Sequence, residues 1–306
     1  MDKQDEARGL AFGLLGVIIF ALTLPMTRLA VGPAGEPQLP PLFVTGGRAA
    51  GAGLLSCAWL AAARAAPPAR HLWSSVFVSA LGTVVGFPLF LALALRRVDA
   101  MHAAVITGVL PLATAVAAAA WFRQRPSLGF WLCACLGTAL VVAFAAWHSS
   151  GGLAVADVLL LVSVASAAVG YVAGARLSSE IAAESAICWV LVASLPLTIP
   201  ATIATWPDRG ASAAAWGGFG YVTVFSMWLG FFAWYRGLAL GGTVRVSQVQ
   251  VLQPFLAMLF AVPILGERLD VTLVVFAFAV VAVVLASRRM SVGTARLPGR
   301  PAAGEL

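Results

Sequence analysis

The sequence GLALGGTVRVSQVQVLQPFLAMLFAVPILGER, residues 237–268, is the stretch that decides the fold. Its apolar part is long enough to cross the hydrocarbon core of a bilayer, which takes about 20 residues. Gln248, Gln250, Gln253 and Pro254 interrupt this apolar run. Because a polar group within hydrocarbon needs a partner or a wet cavity, the stretch predicts a membrane helix that faces a packed or hydrated interior.

A shift of 143 positions, the separation of Pro111 and Pro254, relates this stretch to an earlier part of the chain. Alanine and leucine matches are common by chance in so apolar a sequence, so only the rarer residues are informative. The informative pairs are Pro254 with Pro111, Arg268 with Arg125, and Trp216 with Trp73. We therefore predict two repeats, residues 1–148 and 149–290, followed by a disordered cytoplasmic tail, residues 291–306.

The composition places the chain in a membrane. Of its 306 residues, 61% are hydrophobic and only 10% are charged, which is more apolar than a soluble protein of this length needs. The net charge of +7 does not indicate a nucleic-acid partner, because the basic residues are scattered over short loops rather than gathered on one face. The partners we expect are the lipid bilayer and a small-molecule substrate.

Apolar segments of spanning length recur along the chain, so the predicted fold is an all-α integral membrane protein with ten transmembrane helices, five in each repeat. Pairs of glycines four residues apart, such as Gly82 with Gly86 and Gly170 with Gly174, predict close helix packing. The predicted spans are residues 9–31, 41–63, 73–95, 101–122, 128–147, 152–175, 185–205, 213–235, 244–265 and 271–287.

Charge in the loops predicts the orientation. With the N-terminus inside, thirteen Lys and Arg residues fall on that side and four on the other. Both termini are therefore predicted to be cytoplasmic, in a bacterial-type inner membrane. Because each repeat has an odd number of helices, the second repeat must be inverted relative to the first. Inverted repeats of this kind are typical of transporters.

Neither a cofactor nor an enzymatic activity is expected. The four cysteines all fall inside apolar spans, which favours small buried side chains over a metal or redox site. The chain contains no phosphate-binding loop, no HExxH zinc motif and no serine nucleophile elbow.

Several short motifs and single residues lie at the ends of the predicted spans or inside them. They are Tyr235-Arg236-Gly237-Leu238, Arg245-Val246-Ser247, the mid-span Pro254 and Gly266-Glu267-Arg268, together with Arg48 in the second span. In these motifs the chain resembles the drug/metabolite transporter superfamily, in its ten-helix EamA type. The resemblance covers nearly the whole chain, and it departs at Arg123-Gln124-Arg125, where that family often repeats Gly-Glu-Arg.

The resemblance implies a secondary carrier, often an exporter of amino acids, metabolites or drugs. Its central cavity would be lined by the first, third and fourth helices and their second-half equivalents. The residues alone favour a carrier as well, but they do not determine the direction of transport, the coupling to protons or the solute. A homodimer is left open.

The polar positions of the ninth span and their repeat mates predict a substrate site. Gln250, Pro254 and Ala257 share one helical face, and their mates are Thr107, Pro111 and Thr114. We expect Thr107, Thr114 and Gln250, with Gln253 as a weaker addition, to face the substrate. The alternative is that they bond neighbouring helices together. Pro111 and Pro254 are expected to let helix segments swing.

Aromatic residues provide candidate apolar walls for this site. Phe87 and Phe90 flank a proline on the third span, Trp228 lies deep in the eighth, and Tyr171 lies in the sixth. Stacking on a substrate is one interpretation, and contact with lipid or with the interface is the other.

Four charged residues are candidates for structural, gating or coupling roles. Arg48 lies deep in its span and needs a partner or water. Glu267 and Arg268 are expected to bridge an outer loop to a neighbouring helix, with gating as a further interpretation. Asp157 is a candidate for proton coupling, although an acid at a helix N-terminus also favours the helix dipole.

The predicted function is export of amino acids or related small metabolites by alternating access. A closer alternative is a carrier for drug-like cations or for phosphorylated or nucleotide-sugar metabolites. An alternative of another class is a membrane structural or regulatory subunit without transport of its own.

Overall fold

The computed structural model describes residues 3–123, 125–148, 154–241, 247–289 and 292–293, which are almost entirely helical. A helix satisfies its backbone groups within its own segment, which is the requirement inside hydrocarbon. Arg245 and Val246 of the predicted motif, and residues 294–306 of the predicted tail, lie outside the described residues.

The first half contains eight α-helices in the described residues. A 3-10 turn, Arg70–Leu72, precedes the fourth helix, and a π-helical segment, Ala80–Gly86, separates the fourth from the fifth. The helices are α1 (Lys3–Ala21), α2 (Thr23–Val31), α3 (Pro41–Ala62), α4 (Trp73–Ser79), α5 (Phe87–Ala94), α6 (Ala100–Thr107), α7 (Leu110–Trp121) and α8 (Leu128–His148).

The second half contains six α-helices in the described residues. A π-helical segment, Val222–Leu229, joins the third of them to the fourth, and a 3-10 segment, Ser247–Leu252, precedes the fifth. The helices are α9 (Val155–Ser178), α10 (Ala183–Ala204), α11 (Ala213–Tyr221), α12 (Gly230–Gly241), α13 (Gln253–Leu265) and α14 (Val271–Arg288).

A two-residue antiparallel pair joins the loop before α8 to the segment that follows α14. Strand β1 (Arg125–Pro126) pairs with β2 (Val292–Gly293), in the tail that the composition predicts to be disordered.

Five helical runs of the described residues are long and apolar enough to cross a membrane, and three shorter apolar helices accompany them. The helical membrane architecture expected from the sequence is therefore present, while a total of ten spans remains a prediction. The five runs are Ala7–Val31, Arg70–Ala94, Ala100–Trp121, Val155–Ser178 and Ala183–Ala204, and the shorter helices are Leu128–Phe144, Gln253–Leu265 and Val271–Ser287.

The helices are interrupted at positions that the 143-residue shift relates. The shift moves Ala80–Gly86 onto residues 223–229, within the second π-helical segment. It also moves the first residue of α7, Leu110, onto the first residue of α13, Gln253. Both helices carry their proline in the first turn, where the missing N–H costs no helical hydrogen bond. The two halves thus share their irregularities as well as their helices.

Glycines allow close backbone contact beside these interruptions. A β-carbon on Gly82 would lie 2.7 Å from the Cα of Gly170, which brings the first π-helical segment against α9. A β-carbon on Gly237 would lie 2.6 Å from the backbone nitrogen of Gly13, where α12 packs on α1. Small residues permit such packing between helices that have no hydrophobic force to drive them together in lipid.

Helix α6 lies at the centre of the bundle. Its residues from Ala103 to Ile106 are fully buried, and it packs against α2, α9, α13 and α14. Helix α6 is therefore one of the places at which the two halves of the chain meet.

Candidate functional site

A cavity lies where the interrupted helices of the two halves converge. Five of the residues predicted to bind substrate line it: Phe87, Thr107, Tyr171, Gln250 and Gln253. The predicted hinge prolines Pro111 and Pro254 line it as well. The cavity volume is about 60 Å³, which is room for a few water molecules.

The interruptions place the polar residues of the cavity. Thr107 is the last residue of α6, and its hydroxyl donates to the carbonyl of Ala103 at 2.8 Å. Gln250 lies in the 3-10 segment and Gln253 begins α13. A β-carbon on Gly108 would lie 3.3 Å from Cγ of Pro254, so the two breaks pack directly on each other.

Arg48 projects from α3 into this cavity and is 2% exposed. Its Nη2 donates to Oγ of Ser226 at 3.1 Å and contacts Sδ of Met227 at 3.5 Å. The Oγ of Ser226 is also 2.8 Å from Oγ1 of Thr23. In the part of the chain that the structure describes, Nε and Nη1 of Arg48 have no hydrogen-bond partner, and no carboxylate pairs with it.

Three residues predicted to face the substrate lie outside the cavity lining of this conformation: Thr114, Phe90 and Trp228. The prediction for Thr114 assumed one continuous helical face, but the helix breaks between Thr107 and Leu110, so the i, i+7 relation to Thr107 does not hold. The hydroxyl of Thr114 donates to its own helix, at the carbonyl of Leu110.

Trp228 lies in the second π-helical segment, whose wider turns change which side chains share a face. That segment presents Ser226 and Met227 to the cavity, while the ring of Trp228 packs against Phe232 at 5.0 Å.

Several lining residues were not among the predicted site residues, including Phe20, Thr23, Thr83, Ser226 and Phe231. The sequence contains one signal for two of them, because the 143-residue shift superimposes the hydroxyl residue Thr83 on Ser226. In the structure both residues lie in π-helical segments. The rings of Phe20 and Phe231, 5.1 Å apart, form an aromatic wall. Their contact joins α1 to α12 and is not visible in any local pattern.

A second cavity, of about 460 Å³, is lined by Asp157, Glu267 and Arg268. The two carboxylate oxygens of Glu267 accept the N–H groups of Ala100 at 2.7 Å and Met101 at 2.9 Å. An acidic cap on these free N–H groups stabilises the start of α6. The loop after α13 is thus tied to the central helix.

The position of Glu267 changes its acidity. Burial raises the pKa of its carboxyl, and the N–H groups of Met101 and Ala100 act in the opposite direction. The nearby Asp99 raises the pKa further, and Arg28 lowers it. Arg28 itself pairs with Asp99 at 3.4 Å.

Asp157 is 1% exposed at the start of α9. One of its carboxylate oxygens accepts the backbone N–H of Ala154 at 3.0 Å, and the other is 2.7 Å from Nε2 of His102. His102 was not predicted, since its contact with Asp157 links two helices far apart in sequence. Within the described ranges, no group of three His, Cys, Asp or Glu is arranged to hold a metal ion.

Interrupted membrane helices that meet at a polar cavity are typical of secondary transporters. A sequence profile of the EamA-like transporter family matches residues 7–145 and again residues 154–288. The chain therefore belongs to the EamA-like transporter family, within the drug/metabolite transporter superfamily, as its motifs predicted.

Two known proteins illustrate this relationship. The "Uncharacterized transporter YdeK" of Bacillus subtilis (strain 168) is 42% identical over 281 residues, which span 91% of this chain and 96% of that protein. A solved structure described as "Crystal structure of protein" is similar over 91% of this chain and 98% of its own, with a TM-score of 0.61 and 19% identity. At that identity the similarity shows a shared fold.

Proposed function

We propose that the protein exports amino acids or related small metabolites across the bacterial inner membrane by alternating access through the central cavity. The observation that supports this proposal is the meeting of two broken helices, one from each half, at the cavity. Thr107 and Pro111 come from one break, and Gln250 and Pro254 come from the other. Helix breaks at such a site leave polar groups free to bind a solute and allow segments to move.

Movement is part of the proposal, because a carried solute must reach the cavity from one side of the membrane and leave it on the other. The glycine contacts beside the cavity, such as Gly82 with Gly170, are surfaces on which helices can slide. In this proposal the two halves form ten spans, and the second repeat is inverted relative to the first. Both termini face the cytoplasm, as the distribution of basic residues in the loops favours.

A structural or regulatory subunit is the alternative of another class. Such a subunit has no need for a buried cavity that contains an arginine and two glutamines, since polar groups in a membrane interior are costly to maintain. These residues therefore favour a transport role.

Counterflow in proteoliposomes tests the proposal. The purified full-length chain is reconstituted with an unlabelled amino acid inside, and uptake of the same labelled amino acid is measured across a panel. Protein-free liposomes serve as the control. Saturable uptake that other amino acids compete would support the proposal. Folded protein that exchanges no member of the panel would refute amino-acid transport.

A further inference from the structure

No carboxylate among the described residues pairs with Arg48. A guanidinium has five N–H donors, and the described residues supply partners only to Nη2, through Ser226 and Met227. Nε and Nη1 are buried without a partner among the described residues. A buried charge without partners is strongly unfavourable unless a ligand pairs with it and accepts its free N–H groups.

The buried or partly buried carboxylates Asp157 and Glu267 are engaged elsewhere. None of the described residues that line the cavity is an aspartate or a glutamate. Asp157 is bonded to His102, and Glu267 caps α6. Arg48 is therefore the one charged residue among the described residues of the lining, and it gives the cavity a positive charge.

Hydroxyl groups line the same cavity as this charge. Ser226 and Thr23 are bonded to each other beside the guanidinium, and the buried Oγ1 of Thr83 has no partner among the described residues. Thr83 and Ser226 occupy equivalent positions of the two repeats. Charge-assisted N–H donors with adjacent hydroxyls form the kind of site that a carboxylate occupies.

The arginine has no counterpart in the other half. The 143-residue shift superimposes Arg48 on Leu191, which is fully buried on α10. One cation matches one singly charged anionic group, whereas a phosphate or a nucleotide sugar needs several basic groups. The amide oxygens of Gln250 and Gln253 are neutral acceptors that can receive an ammonium group within the same cavity.

From these contacts we infer that Arg48 binds the carboxylate of the transported solute, so that the cavity selects small molecules with one carboxylate. This inference rests on the proposed transport function and specifies its substrate class. A cationic solute without a carboxylate would meet the uncompensated positive charge of Arg48 and is excluded.

The first test needs no variant. Counterflow of labelled L-phenylalanine by the wild-type chain is competed with unlabelled L-phenylalanine or with its carboxamide, and L-threonine and its carboxamide form a second matched pair. At about pH 6 the amino groups of all four compounds are protonated, so each pair differs in the carboxylate charge. We expect the carboxamides to compete about tenfold more weakly or worse. Equal competition within both pairs would overturn the inference.

Variants then assign the effect to Arg48. Arg48→Met should abolish discrimination between acid and carboxamide, and Arg48→Lys should retain part of it because the charge remains. Leu191→Met, a conservative change at the equivalent buried position of the other repeat, is the matched control and should discriminate as the wild type does. A folded Arg48→Met protein that still prefers the acid would overturn the assignment. If that variant does not fold, the competition series on the wild type still decides the substrate class.

Ligand-induced thermal stabilisation of the wild-type chain separates this inference from the transport proposal. Stabilisation by the acids and not by their carboxamides, without counterflow, would support the carboxylate site and refute transport. Counterflow with equal competition by acids and carboxamides would support transport and refute the carboxylate site. Neither exchange nor stabilisation by any of the four compounds would overturn both.

Discussion

Removing the hydroxyl of Ser226 tests the hydrogen-bond network on which the cavity depends. Its Oγ accepts from Nη2 of Arg48 at 3.1 Å and is 2.8 Å from Oγ1 of Thr23. A hydrogen bond to a charged group contributes about 1.5–3 kcal/mol, and a neutral one about 1 kcal/mol. Ser226→Ala should therefore lower the free energy of unfolding by about 3 kcal/mol, because it leaves a buried guanidinium with one partner fewer.

A matched substitution isolates this effect. Ser287 is 6% exposed, compared with 3% for Ser226, but its hydroxyl donates only to the carbonyl of Val284 in its own helix. Ser287→Ala should thus cost less than about 1 kcal/mol. In thermal unfolding of the purified protein, Ser226→Ala should lower Tm by roughly 6–12 °C, and Ser287→Ala by a few degrees at most.

A double-mutant cycle with Thr23→Val measures the coupling directly. If Ser226 and Thr23 bond each other, the effects of the two substitutions on the free energy of unfolding should be non-additive by about 0.5–3 kcal/mol. Equal Tm values for Ser226→Ala and Ser287→Ala, together with additive effects in the cycle, would refute the network and with it the placement of Arg48.

Three further predictions concern the central cavity and the second cavity, which Asp157 and Glu267 line. Gln250→Ala should reduce counterflow about tenfold or more with little change in Tm, because the cavity loses a hydrogen-bonding group; intact counterflow with a lower Tm would instead identify Gln250 as a packing residue. Folding raises the pKa of Glu267, so the folded state favours the protonated carboxyl. The stability that this pKa shift contributes is complete below the ordinary glutamate pKa and is lost as the pH rises through the raised pKa. Glu267→Gln should therefore flatten the dependence of Tm on pH in that window, and an unchanged slope would contradict this assignment. If Asp157 couples protons, Asp157→Asn should abolish the effect of a pH gradient on flux, whereas an unaltered response would exclude Asp157 from coupling.

The class of the protein and much of its cavity follow from the sequence alone. An apolar composition with short basic loops admits only a membrane fold, because so much hydrophobic surface has no other solvent. The 143-residue shift identified the paired Pro111 and Pro254, and both line the cavity. Thr107 and Gln250 were predicted alongside them, because Gln250 shares a helical face with Pro254 and Thr107 is its repeat mate.

Tertiary structure decided the rest, since hydrogen bonds and helix irregularities depend on contacts between distant segments. The break after Thr107 separates it from Thr114, and a π-helical segment turns Ser226 rather than Trp228 toward the cavity. No spacing in the sequence indicates that Glu267 caps α6 or that His102 meets Asp157. The sequence by itself therefore determined the membrane class, the repeat and the paired prolines. The packing of helices across the two halves decided which side chains face the cavity. The same packing places Arg48 there without a counter-charge among the described residues.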